Sequence, residues 1–399
     1  MPTKSGKSGH LHYVDVVRLL TVALVIAVHV LALEPLAPTL AAGALLTVTH
    51  VSREVFFLLT AFVLTYGYLG RQVRWPSFWR KRYLFVAVPY LMWTAIYFLA
   101  DDPNWSAVTS AVHTLAVDVL TGTARYHLYF LLVSMQIYLV FPLLRGLLRI
   151  TAGRHGWLLA ASTVFQLVFF LAVQQQWSLG SLSGWVRSPD ALLPSYIGFV
   201  IAGGLAAWHK DALVRWTETH LRTVFLGCAA SIALGVGVFL AQVELGGQGP
   251  LQASAVFQPV VVVESVGITW AFLALGLIWQ RHGRPAGRVV RAGSDASFGV
   301  YLVHPLILQG MLAFSATIGV TALARQLPGG LVIAVEMLVV VPLIYLISGL
   351  FATAARRTPV SLPLTGRARV RPAKREVPVP ERVSVTPIDR PLKLIGGSR

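Results

Sequence analysis

The stretch Tyr13–Val30, YVDVVRLLTVALVIAVHV, decides the reading of the fold. It is apolar enough to enter a bilayer, yet it carries Asp15, Arg18 and His29. Eleven positions separate Arg18 from His29, so on a helix the two share a face, roughly 16 Å apart along the axis. Asp15 lies one turn before Arg18 on the same stripe. Ionisable groups at membrane depth are costly and face a bundle interior or a wet cavity. Alone, Arg18 reads as a snorkelling interfacial arginine and His29 as a hydrogen-bonded core histidine. Three such groups on one stripe point instead to a functional site.

The rest of the chain agrees with a membrane setting. Of 399 residues 56% are hydrophobic and only 12% charged, with a mean hydropathy of +0.69. A soluble protein of this length cannot hide so much apolar surface. The alternating segments of an outer-membrane barrel are missing. The expected class is therefore an all-α, polytopic transmembrane helical bundle embedded in the cell membrane. Cys228 is the one cysteine, which excludes a disulfide framework and a thiolate metal site. A net charge of +17 would suggest nucleic acid in a soluble protein, but here its distribution is the informative quantity, and no nucleic-acid partner is expected.

A window of about 20 residues marks ten spans. They fall near 13–33, 51–69, 83–100, 126–147, 156–175, 191–208, 222–242, 255–280, 295–315 and 330–353. The segment 105–121 is moderately apolar but holds His113 and Asp118, so it reads as an interfacial helix or external loop. With a cytoplasmic N-terminus, 17 basic residues fall in cytoplasmic loops and three (Arg125, Arg187 and Arg325) in external ones. Both termini are then cytoplasmic. An extra span at 105–121 would move the Arg281–Arg291 cluster outside and spoil the asymmetry. Charges within the first apolar core and nine later spans argue against a cleaved signal peptide. The organisation expected is a cytoplasmic N-terminus over 1–12, a membrane domain over 13–353 and a basic, Pro-containing disordered tail over 354–399. That tail would touch anionic lipid or stay simply solvated.

Further polar clusters interrupt the apolar runs. Arg80-Lys81-Arg82 opens the third span, where arginines suit a phosphate-rich ligand as well as ordinary interfacial anchoring. Arg80 and Arg82, two positions apart, converge only if the helix starts or loosens there. In SDASFGVYLVHP, Ser297, Tyr301 and His304 share one face, as a catalytic group or as an interhelical hydrogen-bond network. Glu264 sits in the apolar run VVVESVG and needs a partner or a proton, with Arg18 one conceivable partner. Glu336 is similar. His127, among aromatics at an external interface, reads chiefly as a belt residue. Neither an HExxH metal motif nor a phosphate loop is present, and no metal is expected.

Taken in order, these motifs resemble the acyltransferase 3 family of integral membrane acyltransferases. The family's Arg, ten residues, His pattern appears as Arg18 and His29, with Asp15 in a D-x-x-R setting. VFFLLTAFVLTYGY over Val55–Tyr68 stands where the family shows an FF-x-x-SGF-like run, with Thr60-Ala61 replacing Ser-Gly. Arg80 and Arg82 match the R-x-R, the fourth span opens HLYFL, and the ninth carries SFGVYLVHP over Ser297–Pro305. The resemblance covers 13 to about 353 and leaves out the tail. It implies transfer of an acyl group, often acetyl, from cytoplasmic acyl-CoA to a hydroxyl of a sugar, polysaccharide or other small molecule. On that reading His29 is the general base. Arg18 holds the donor or steadies the carbonyl oxygen, oriented by Asp15. Arg80 and Arg82 bind CoA phosphates. Ser297, Tyr301, His304, His127 and Glu264 support the site or bind substrate. The rival from another class is a proton-coupled transporter of a small anionic solute, using the same Arg and His. The chain lacks evident repeated halves, which counts against it.

Overall fold

Tyr13–Val30 does form one uninterrupted helix, within α1 (His12–Leu33). The structure is a computed structural model that describes residues 9–33, 39–101 and 107–370, and those residues contain helices and no strands. After α1 come α2 (Leu40–His50), α3 (Ser52–Tyr68), α4 (Trp75–Ala100), α5 (Val108–Thr121), α6 (Tyr129–Ile150) and α7 (His155–Gln174). They are followed by α8 (Ile197–Trp208), α9 (Lys210–Thr219), α10 (Leu221–Glu244), α11 (Pro259–Arg281), α12 (Gly287–Thr317), α13 (Gly329–Ala355) and a short α14 (Ser361–Thr365). Among the described residues nine helices or helix pairs are long and apolar enough to cross a membrane. The pair Leu193–Trp208 and Lys210–Thr219, bent by 86°, makes a tenth if it counts as one span. Nine of the ten expected spans appear, and the expected span at 191–208 coincides with the bent pair.

Three boundaries differ from expectation. Residues 40–50 form a helix that runs into α3, so the second crossing is Leu40–Tyr68. The third and ninth helices start a turn or two earlier than hydropathy alone indicated, because their amphipathic ends project beyond the apolar windows. α5 has 14 residues, roughly 21 Å, short of a hydrocarbon core of about 30 Å, in keeping with an interfacial element.

Alternation of direction can be read from contacts between helix ends. Ser294 near the start of α12 donates to Asp15 near the start of α1. Tyr66 near the end of α3 donates to the Gly9 carbonyl. Arg145 late in α6 donates to the Arg71 carbonyl between α3 and α4. His155 at the start of α7 meets His209 between α8 and α9. These ends lie together, and the basic loops at 71–82, 145–154, 209–222 and 281–291 gather there with them. The expectation that they share one face is a consequence of ten crossings, not eleven.

α1 lies at the centre, packed on α2, α3, α11, α12 and α13. Ile26, Val30 and Leu31 on it are completely buried. α3 and α8 pack backbone against backbone. Gly203 lets the α8 backbone rest on the Leu58 carbonyl and on Ala61, which is fully buried. The Thr60-Ala61 departure therefore keeps a small residue at the contact. The segment after α13 folds back onto the bundle: Trp93 Nε1 donates to the Leu364 carbonyl and Arg367 pairs with Asp295 at 3.7 Å. The expected basic tail beyond residue 370 lies outside the described residues.

Candidate active site

The SFGVYLVHP segment shows how the chain builds a buried histidine. Pro305 sits inside α12 and has no N–H, so the Tyr301 carbonyl four residues earlier loses its helical donor. The His304 side chain replaces it, with Nδ1–H donating to that carbonyl at 2.7 Å. A carbonyl only accepts, so the proton is fixed on Nδ1 and the neutral ring presents a bare lone pair at Nε2. Nε2 is buried and makes no hydrogen bond among the described residues. One residue on from Tyr301, the Leu302 carbonyl accepts from Tyr97 of α4 at 2.7 Å.

His29 of α1 faces this ring. The two imidazoles lie 5.4 Å apart between centroids and nearly parallel, at 19°. Tyr126 also packs against His29, at 4.3 Å between ring centroids. His127 closes the cluster, 5.4 Å from His304 and 5.1 Å from Tyr301. Gly122 makes this possible, since its positive φ of 77° ends α5 and brings the loop against the Tyr129 backbone. Tyr301 O–H donates to the His127 carbonyl, locking α12 to that loop. His127 is fully buried and both its ring nitrogens lack partners among the described residues. It is therefore a member of the histidine cluster and not a belt residue. The family resemblance pointed to His127, whereas its position beside an aromatic run did not show that a turn would carry it inward.

The remaining sequence-selected residues divide. Ser297 turns back to its own helix and donates to the Ser294 carbonyl, so it does not join Tyr301 and His304. Glu264 lies in the α10–α11 interface, where its carboxyl rests on bare Gly235 and neither oxygen has a hydrogen-bond partner among the described residues. Arg18 is not beside it, so that conceivable pairing is not formed. Asp15 gives one oxygen to His10 at 2.6 Å and the other to Ser294 at 2.8 Å. No ion pair within 4.0 Å joins Asp15 to Arg18 among the described residues, so any orienting influence acts at longer range. Arg18 lies instead within electrostatic reach of Asp15, Asp295 and Arg367, at the basic end.

Arg80 and Arg82 point apart, because α4 is continuous from Trp75 and two positions rotate through about 200°. Arg80 lines an open groove of about 670 Å³ with Arg74, Ser77 and Lys81. Arg82 is half-buried over Tyr68, Phe78 and Tyr138, at 5.5, 5.8 and 6.0 Å. At the other end of α4, a cavity of about 320 Å³ is lined by Phe98, Asp101, Ser110, Thr114, Asp118 and Thr123.

One buried ionic centre escaped the sequence reading. Arg53 donates twice to Glu54, at 2.8 and 3.0 Å, reaches Asp190 at 3.4 Å, and lies 4.2 Å over the Phe257 ring. Arg53 and Glu54 are 4% and 0% exposed. Hydropathy placed them at a span boundary, where charges are ordinary. The added α2 moves that boundary outward and leaves them at depth. His50, within electrostatic reach of both Arg53 and His29, links the two polar centres.

A family model described as an acyltransferase domain matches residues 11–361. No curated protein sequence and no solved structure gives a match.

Proposed function

The chain belongs to the acyltransferase 3 family and is a multi-pass membrane acyltransferase; from that premise we propose that it O-acylates a hydroxyl acceptor, with acetyl-CoA as donor and His29 as general base. The observation that carries this reading is the facing pair of His29 and His304, the latter with its Nε2 lone pair bare. His29 takes the proton of the acceptor hydroxyl as the oxygen attacks the thioester carbonyl. The C–S bond breaks, and the imidazolium returns its proton to the CoA thiolate. His304 accepts a hydrogen bond from the acceptor and orients it.

Arg18 stands about 16 Å along α1 from His29, too far to share one carbonyl. It therefore binds the distant part of the donor, in company with Arg82. Arg80, with Arg74 and Lys81, attracts CoA phosphates from solvent. The donor thus enters at the basic end, which we assign to the cytoplasm under the positive-inside rule. The hydroxyl- and carboxylate-lined cavity at the opposite end of α4 suits a carbohydrate acceptor.

The test is to supply membranes with [¹⁴C]acetyl-CoA and identify the labelled product. Label transferred to a hydroxyl compound as an ester supports the proposal. Solute counterflow in proteoliposomes without acyl-CoA, and no transfer of label, would overturn it in favour of transport.

A further inference from the structure

We propose that His10, His12 and Asp15 form a zinc site at the mouth of α1. Their donor atoms all lie within 4.8 Å of one another. A tetrahedral ion at 2.0–2.1 Å from each ligand keeps its donors roughly 3.3 Å apart, so small side-chain rotations close the set. Two imidazoles and one carboxylate, with a fourth position open, suit zinc better than the oxygen-seeking magnesium or calcium.

The cluster is built, not accidental. His12 begins the helix while His10 precedes it, which turns the two rings to a centroid distance of 4.8 Å. The preceding Gly9 carbonyl accepts from Tyr66 O–H at 3.2 Å, which ties the segment down. Asp15 is 2% exposed and its second oxygen accepts from Ser294 Oγ at 2.8 Å, as the outer-shell partner of a ligating carboxylate would. The His10 side chain is 42% exposed, so an ion reaches the site from solvent. On binding, the ion takes the place of the proton that now joins His10 Nε2 to Asp15 Oδ2 at 2.6 Å. Arg284 and Arg291 lie within electrostatic reach of His12 and oppose any cation there, so the preference for zinc rests on the imidazole ligands.

Calorimetry of the full-length chain, without a histidine tag and stripped with EDTA, tests this. One equivalent of Zn²⁺ should bind, and His10→Ala and His12→Ala should each weaken binding at least tenfold. The His155–His209 pair, at 2.8 Å, is the competing site and supplies the control. The proposal is overturned by absence of stoichiometric binding, by unchanged binding in His10→Ala, or by loss of binding in His209→Ala instead.

Discussion

His304 owes its chemistry to its neighbour in the chain. Pro305 withholds an N–H, the histidine supplies one, and the ring is left with a bare Nε2 lone pair in the cluster it shares with His29. His304→Asn keeps a donor for the Tyr301 carbonyl but deletes Nε2. It should lower kcat by about 10²-fold or more while leaving the melting temperature unchanged. A wild-type kcat in that variant would remove His304 from the reaction. At the donor end, Arg80→Ala with Arg82→Ala should weaken CoA binding at least tenfold by calorimetry in detergent. Most of the loss should come from Arg82, which is half-buried, since exposed Arg80 is screened by solvent. Unchanged affinity in the double variant contradicts the phosphate role. The stripe of Arg18 and His29 and the face of Tyr301 and His304 were legible in the sequence, because helical spacing is local. His127 was legible only through the family resemblance, since a turn decided its depth, and the Arg53–Glu54–Asp190 centre was not, since an unassigned helix decided its depth.

Among the elements, α10 and α11 test how a carboxyl survives without a hydrogen bond. Gly235 leaves room for the Glu264 side chain, and any Cβ there would collide with it. An unpartnered buried polar group is costly, by about 1–3 kcal/mol. Glu264→Met should therefore hold or raise the melting temperature, read by thermal shift in detergent, and retain acyl transfer. A fall of more than about 5 °C would show that the carboxyl has a stabilising partner. The helices themselves were largely legible, since apolar runs of about 20 residues leave little alternative in a bilayer. α2 was not assigned because its apolar run is short and follows a Pro-containing stretch, and only its continuation into α3 makes a crossing of 29 residues.

For the described residues as a whole, the nine apolar crossings and the bent pair gather the basic loops at one end and place the histidine cluster toward the other. On the proposed function the donor enters at the basic end and reacts deep in the bundle. Orientation is testable in a Cys228→Ala background. Arg284→Cys should be shielded from an impermeant maleimide in intact cells, whereas Thr123→Cys should react. The reverse pattern would invert the assignment of the basic end to the cytoplasm. The most direct test of the account returns to His29. Membranes containing His29→Ala, matched to wild type for inserted protein, should transfer no label from [¹⁴C]acetyl-CoA to the acceptor. Transfer at the wild-type rate by that variant would contradict the claim that this imidazole is the base.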